Sequence, residues 1–456
     1  MRILVTLLAL AAVSPAHAAD APKRPHIVFL LADDLGWKDV SYHDSEIKTP
    51  NLDRLSGSGV RLEQFYVMPV CSPTRTCLMT GRYPMRVGLQ TGVVRPWARY
   101  GLPLDERTLA QALKEAGYVT AITGKWHLGH FEPEYLPMRR GFDHQYGHYN
   151  GAIDYFDHTR EGGLDWHRDD KVLREEGYST NLIGAEAVRL IKGHDPAKPL
   201  FLYVPFNAPH TPLQAPEEYL KKYADIKDMQ RRKFAAMVTC LDDNVGRIVA
   251  ALKERGWLDN TLIVFSSDNG GPTNSGAANG ELRGAKASLY EGGVHVPAFV
   301  VWPGKIKANS VVDQPLHMVD WYPTLVKLAG GKLEQKHPLD GKDMWATLTE
   351  DKPSPHAEIL INVEPHQGAL LVGSWKLIVR GKLPVAEGAT PARVELYNLT
   401  VDIREGTNLA EKEPKRVAEM LARLNVYAKE AVPPKGAGAQ GKPADFKAPK
   451  VWGEKD

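Results

Sequence analysis

The chain has 456 residues, of which 43% are hydrophobic and 25% charged, with a formal net charge of +2. That composition excludes a disordered chain, provides for a large core and suits two domains. A near-neutral balance gives no global field for nucleic acid or a membrane surface, so any attraction for an anion must be local. The three cysteines, Cys71, Cys77 and Cys240, are too few and odd in number for a disulfide framework. At least one thiol is left unpaired or chemically used, and no second Cys/His pair stands at zinc-ligand spacing.

The first segment, MRILVTLLALAAVSPAHA over residues 1–18, has Arg2, an apolar run from Ile3 to Val13 and a small-residue Ala16-His17-Ala18 end. It reads as a cleavable secretory signal peptide, because the apolar run falls short of the ~20 residues a spanning helix needs. No later segment is long and apolar enough to cross a bilayer. The expectation is an exported protein, periplasmic or secreted, with no stable membrane insertion.

Four segments then share one pattern, a short apolar run that stops at polar, chemically capable residues: HIVFLLADD (26–34), YVTAITGKWHLGH (118–130), PLFLYVPFNAPH (199–210) and TLIVFSSDNGG (261–271). Continuous apolar runs suit strands covered on both faces, which means a mostly parallel sheet. Between them ERTLAQALKEAG (106–117), STNLIGAEAVRLIKG (179–193) and DDNVGRIVAALKERG (242–256) carry helical spacing. All three close on Gly, and Ser179 and Asp242 stand as the caps that open the last two. Alternating strands and helices predict an α/β domain over 19–345. Beyond the helix-like HMVDWYPTLVKLAG (317–330), strand candidates at 368–381 and 393–400 and a helix over 416–431 predict a small α+β subdomain over 346–432. Residues 433–456 are rich in Pro, Gly, Ala and Lys and read as a disordered tail.

Ligands of open parallel sheets bind beyond the carboxyl ends of the strands, where all four polar clusters sit. Asp33-Asp34 and Asp268-Asn269 offer three carboxylates and an amide oxygen there, a hard-cation set suited to calcium or magnesium rather than zinc. Either pair alone reads as turn and cap chemistry; two pairs at equivalent positions favour the metal. Arg75, Lys125, His127, His210 and Lys286 are each ordinary as single residues. Together with a divalent cation they describe a pocket for a small tetrahedral oxyanion.

CSPTRTCLMTGR (71–82) resembles the type I sulfatase signature C-x-P-x-R followed by an apolar pair and T-G-R. LADDLGWKDV, TGKWHLG, APHTP, SSDNGG and LRGAKASLYEGGV match other motifs of that family in order, so that the resemblance runs from Pro25 to Asp343. LPMRRGFDHQYGHYNGAIDYF, YSTNLI and KPLFLYVPFNAPHTPLQAPEEYL are similar to the arylsulfatase B, or N-acetylgalactosamine-4-sulfatase, type. The resemblance implies an alkaline-phosphatase-like α/β sandwich whose large, mostly parallel sheet is flanked by helices, with an antiparallel sheet in the C-terminal subdomain. It further implies sulfate ester hydrolysis on sulfated carbohydrates or aryl sulfates.

By that resemblance Cys71 is oxidised to formylglycine by a maturation enzyme, and the hydrated aldehyde presents one hydroxyl to attack sulfur and another to expel sulfate. Asp33, Asp34, Asp268 and Asn269 bind one Ca2+ together with residue 71, and Arg75 holds that residue. Lys125 and Lys286 grip sulfate oxygens, His127 takes the proton that triggers release, and His210 helps protonate the leaving alcohol. Cys77 packs as a small hydrophobe, and the sequence does not require a Cys77–Cys240 disulfide. His295 and Lys38 depart from the family pattern, and His295 is expected to alter which substrate groups are held. Two other readings stay open: a phosphonate or phosphate ester hydrolase of the same superfamily, and a catalytically silent glycan-binding relative, against which the full polar set argues.

Overall fold

A computed structural model describes residues 24–386, 391–436 and 441–454; the expected signal peptide lies outside them. Among the described residues no helix is long and apolar enough to cross a membrane.

A ten-stranded sheet organises the chain, in the order β10-β2-β9-β8-β1-β7-β3-β4-β5-β6. Its five central strands are β8 (Thr261–Ser267), β1 (His26–Ala32), β7 (Leu200–Pro205), β3 (Val119–Lys125) and β4 (His144–His148), and each neighbouring pair among them is parallel. Outside them β9 (Ala298–Val301), β2 (Val60–Leu62), β5 (His167–Arg168) and β6 (Lys171–Val172) add antiparallel pairings. The edge strand β10 (Ser310–Val312) is parallel to β2.

The continuous apolar runs follow from cover on both faces. Ile27, Phe29 and Leu31 of β1 enter one core, and Val28, Leu30 and Ala32 enter the other. All six are fully buried, and each of the large ones stabilises the fold by roughly 2 kcal/mol. Cys77 belongs to the first core and Cys240 to the second. All three cysteines are free, so no Cys77–Cys240 bridge forms.

The helices differ from expectation in where they start. The segment expected to open at Asp242 is the second half of a helix spanning Met229–Glu254, capped by the Asp228 carboxylate accepting from the Gln230 and Arg231 amides. Apolar spacing continues upstream through Phe234, Met237 and Leu241, all buried. Asp242 instead caps a neighbour, helix Pro50–Gly57, by accepting from the amides of Asn51 at 3.1 Å and Leu52 at 2.8 Å. In helix Ser179–Gly193 the cap position is Tyr178, and the Ser179 hydroxyl accepts from Asn207 Nδ2 at 3.0 Å. The segment at 106–117 tightens to Leu109–Glu115, where Thr108 and Gln111 form a reciprocal capping box.

The C-terminal strands Ile359–Glu364, Gln367–Val372, Trp375–Arg380 and Arg393–Asn398 form an antiparallel sheet. Helix Pro414–Glu430 packs on it through Met420 and Leu424, which share one core with Leu360, Leu370 and Leu377. The tail is a correction: residues 441–454 return to the large-sheet part of the chain and pack there through a few anchors. Val451 pairs with Leu164, and Trp452 is only 4% exposed. Low-complexity composition hid three apolar anchors, Phe446, Val451 and Trp452.

Candidate active site

The carboxyl ends of four central strands deliver the polar set to one place. β1 hands over to Asp33 and Asp34, β3 ends on Lys125 two residues before His127, β7 precedes His210, and β8 precedes Asp268 and Asn269. Cys71 is the first residue of the helix Cys71–Thr80, every residue of which is buried, so its side chain stands at the positive end of a helix dipole. Asp34, His127 and Ala287 have φ of 73°, 61° and 71°, a left-handed conformation that costs non-glycine residues about 1 kcal/mol or more each. Fixed hydrogen bonds hold them there: Asp34 N donates to Asp268 Oδ1 at 3.3 Å, His127 N to Tyr149 O at 3.0 Å and Ala287 N to Pro69 O at 2.8 Å.

The Cys71 thiol lies 3.4 Å from both Asp33 Oδ1 and Asn269 Oδ1. Two oxygens thus converge on a sulfur that carries one proton. Burial and the Asp268 charge push that thiol's pKa up, the opposite of what a reactive thiolate needs. Arg75 donates from Nε and from a terminal nitrogen to Asp268 Oδ2 at 3.1 and 2.9 Å, and to the Lys125 carbonyl at 3.0 Å. Lys125 Nζ is 2.6 Å from Asp33 Oδ2, and Lys286 Nζ is 2.8 Å from Asp34 Oδ2. Burial alone would raise the Asp34 carboxyl, but Lys286 and His210 hold it well below the usual range. Burial and Asp33 push Asp268 up to about 6 against the pull of Arg75.

Both histidines are kept neutral. Burial, Lys125 and Arg75 hold His127 well below its ordinary pKa, and burial with Lys286 brings His210 down to about 3. Carbonyls fix their tautomers. His127 Nε2 faces Val94 O at 3.0 Å, so it carries the hydrogen and leaves Nδ1, which has no partner among the described residues, as a lone-pair acceptor. His210 Nδ1 faces Thr211 O at 2.6 Å, which frees Nε2, 3.6 Å from Asp34 Oδ2.

Every residue expected at the site comes to this edge. Asp33, Asp34, Cys71 and His210 place ligand-capable atoms within 4.8 Å of one another. His210 was expected as a proton donor, not within a metal-capable group; Asp268, expected as a ligand, has Oδ2 engaged by Arg75 and Oδ1 by Asp34 N. The oxygens of Asp33, Asp34, Asp268 and Asn269 fit a hard divalent cation. Three buried carboxylates already balance Arg75, Lys125 and Lys286, so such a cation would leave a surplus of two positive charges for an anion.

Two supporting residues were missed. The Ser72 hydroxyl donates to His127 O at 2.9 Å and accepts from Val94 N at 3.0 Å, tying the Cys71 helix to the His127 loop. Gly151 leaves no room beside the His127 ring, since a Cβ there would stand 2.3 Å from Nε2. Ser72 occupies a variable motif position and Gly151 a plain loop, so neither carries a signal without the fold. Arg95 and Arg160, also missed, line the cleft of about 570 Å³ that opens over Cys71, His127, His210 and Lys286.

His295 does not line that cleft. It is buried, with Nδ1 2.9 Å from Glu291 Oε2 and Nε2 2.6 Å from Glu63 O, and its ring packs on Trp37 at 4.4 Å. Glu291 in turn pairs with Lys376 of the C-terminal sheet at 2.8 Å. The position therefore ties to the C-terminal sheet through Glu291, away from the cleft, which gives no support to the expectation that it alters which substrate groups are held. Lys38 pairs with Asp44 at 3.8 Å and also lies outside the cleft.

The Sulfatase family profile matches residues 25–331. The chain is 37% identical to arylsulfatase J of Mus musculus, with 92% of this chain and 78% of that protein covered. It is 35% identical to the N-acetylgalactosamine-6-sulfatase of Mus musculus, with 73% and 67% covered. Among solved structures, Ps i-CgsB in complex with k-i-k-neocarrahexaose superposes with a TM-score of 0.83 at 34% identity, covering 90% of this chain and 94% of that one. The phosphonate monoester hydrolase of Agrobacterium radiobacter shares the fold at a TM-score of 0.64 and 20% identity, covering 89% and 96%.

Proposed function

The chain belongs to the sulfatase family, and from that premise we propose an exported, calcium-dependent enzyme that hydrolyses sulfate esters on carbohydrates through a formylglycine made from Cys71. The observation that carries this reading is the pair of acceptors, Asp33 Oδ1 and Asn269 Oδ1, both 3.4 Å from one sulfur. A carbon bearing two hydroxyls matches two acceptors; a thiol does not. As a hydrate, formylglycine would supply one hydroxyl to attack sulfur and a second to expel sulfate afterwards. Calcium, held by Asp33, Asp34, Asp268 and Asn269, would supply positive charge beside the sulfuryl group.

The chain's own residues supply the rest. Lys125 and Lys286 neutralise sulfate oxygens as charge develops. His127, with Nε2–H fixed on Val94 O, accepts at Nδ1 the proton released when sulfate departs. His210, held neutral by burial and Lys286 with Nδ1 fixed on Thr211 O, presents Nε2 to the departing sugar oxygen, the position from which it helps protonate the leaving alcohol. Arg75 bridges Asp268 to the Lys125 carbonyl and so sets the spacing of metal-side and sulfate-side groups. Because Cys71 is 1% exposed, a formylglycine-generating enzyme would have to act before folding is complete.

The sulfated sugar is the substrate class named in N-acetylgalactosamine-6-sulfatase. Turnover of an aryl sulfate should exceed that of the matched aryl phosphate diester and phosphonate, and a panel of defined sulfated oligosaccharides should lose sulfate. Preference for the phosphonate would replace this reading with that of a phosphonate hydrolase. Binding of the oligosaccharides without hydrolysis by matured, calcium-loaded protein would mark a silent glycan-binding relative.

A further inference from the structure

The cleft carries more positive charge than one sulfate ester needs. Beyond Lys286 and His210 it is lined by Arg95, from a loop, and by Arg160, which ends the short hairpin strand Thr159–Arg160 outside the large sheet. Arg95 and Arg160 line the same cleft, and burial, partly offset by Glu161 and reinforced by the charge of Arg95, holds Arg160 below its ordinary pKa. For Arg160, compensation is thin. Glu161 is 3.7 Å from Arg160, but its other oxygen is 2.8 Å from Lys442, so one carboxylate serves two cations. Arg160 Nε is buried and has no hydrogen-bond partner among the described residues.

The C-terminal segment braces this wall. Leu164 N donates to Lys450 O and Trp452 N to Leu164 O, each at 2.9 Å. The Trp452 indole donates to the Arg160 carbonyl at 2.9 Å. The Trp452 ring meets Phe446 at 6.3 Å, and Phe446 meets Trp97 at 5.8 Å. The strap thereby ties the hairpin of Arg160 to the loop of Arg95, two residues before Trp97. Bringing two like charges together costs free energy, and here packing meets that cost before any ligand arrives, the condition under which an anion gains most from a preformed fork.

We propose that Arg95 and Arg160 form a subsite for a second anionic group, a sulfate or a carboxylate, on the glycan that carries the scissile ester. The natural substrate is then a polyanionic chain rather than a singly sulfated sugar. This rests on the cleft being the sulfate-ester site, and the test separates the two claims by measuring binding apart from turnover.

Three disaccharides, monosulfated, disulfated, and monosulfated with a uronic acid, are titrated calorimetrically into Cys71→Ala protein, which cannot turn them over. At least one of the two dianionic sugars should bind about tenfold tighter than the monosulfated one, as one additional charge-assisted pair implies. Which of them does so identifies sulfate or carboxylate as the recognised group. Arg160→Ala and Arg95→Ala, each added to Cys71→Ala, should bring that ratio close to one, and Arg160→Lys should restore part of it. No preference with both arginines present, an unchanged ratio in both alanine variants, or equal weakening of all three sugars would overturn the subsite. An intact ratio together with no desulfation by the Cys71 enzyme would support the subsite and overturn the hydrolase reading.

Discussion

Gly151→Ala tests the placement of His127 without removing any functional group. A Cβ at 151 would lie 2.3 Å from His127 Nε2 and 2.4 Å from Cε1, against an ordinary contact of about 3.5 Å. The ring must therefore retreat by about 1 Å. Its backbone cannot follow, because the His127 amide is bonded to Tyr149 O at 3.0 Å and its carbonyl to Ser72 at 2.9 Å. The retreat breaks the Nε2 bond to Val94 O and forces an off-rotamer side chain, together about 2 kcal/mol of stability. Misplacing a catalytic group by 1 Å costs about a hundredfold in rate. The assay is kcat for an aryl sulfate beside the urea midpoint, with Gly193→Ala, where a Cβ meets open space, as the control. Retention of more than about a third of the original kcat, with the fold intact, would show that His127 does not act from this position.

Arg75→Ala should abolish activity and cost about 3–5 kcal/mol, because it strands the Asp268 carboxylate in a fully buried site; an unchanged melting temperature would contradict the buried pair. Exhaustive chelation should lower both turnover and melting temperature, since a metal bound only to the folded state stabilises it by mass action; metal-free protein with full activity would remove calcium from the account. Burial brings His43 down to about 4, and burial with His356 brings His317 down to about 3, from an ordinary 6.5. The unfolded chain therefore takes up protons first, and stability should fall as pH drops below 6.5, by about 2 kcal/mol per histidine at pH 5. In His317→Gln the loss in urea stability between pH 7 and pH 5 should shrink by about that amount, and an unchanged loss would contradict the assignment. Trp452→Ala should cost about 3 kcal/mol and open the tail to limited proteolysis; indifference to it would restore the unpacked tail.

The edge that carries the candidate site is readable because parallel-sheet chemistry is local in sequence. Each strand runs into its polar cluster, so Asp33-Asp34, Lys125 with His127, His210 and Asp268-Asn269 are legible from the sequence as one edge. What escaped depends on contacts between distant segments. Asp242 looked like a cap for its own helix because its carboxylate gives no sign that Asn51 and Leu52 will arrive. Gly151 matters only because the His127 ring stands against it. The tail was misread because Pro, Gly, Ala and Lys dominate its average, while Trp452 finds its slot beside Leu164 and His130 only in the folded chain.

The central claim is the chemistry of residue 71, and mass spectrometry of the peptide spanning it, taken from fully active enzyme, tests that claim most directly. The account predicts an aldehyde or its hydrate: sulfur and two hydrogens lost, one oxygen gained, with a further water for the hydrate. Recovery of only the free thiol from enzyme at full activity would contradict it.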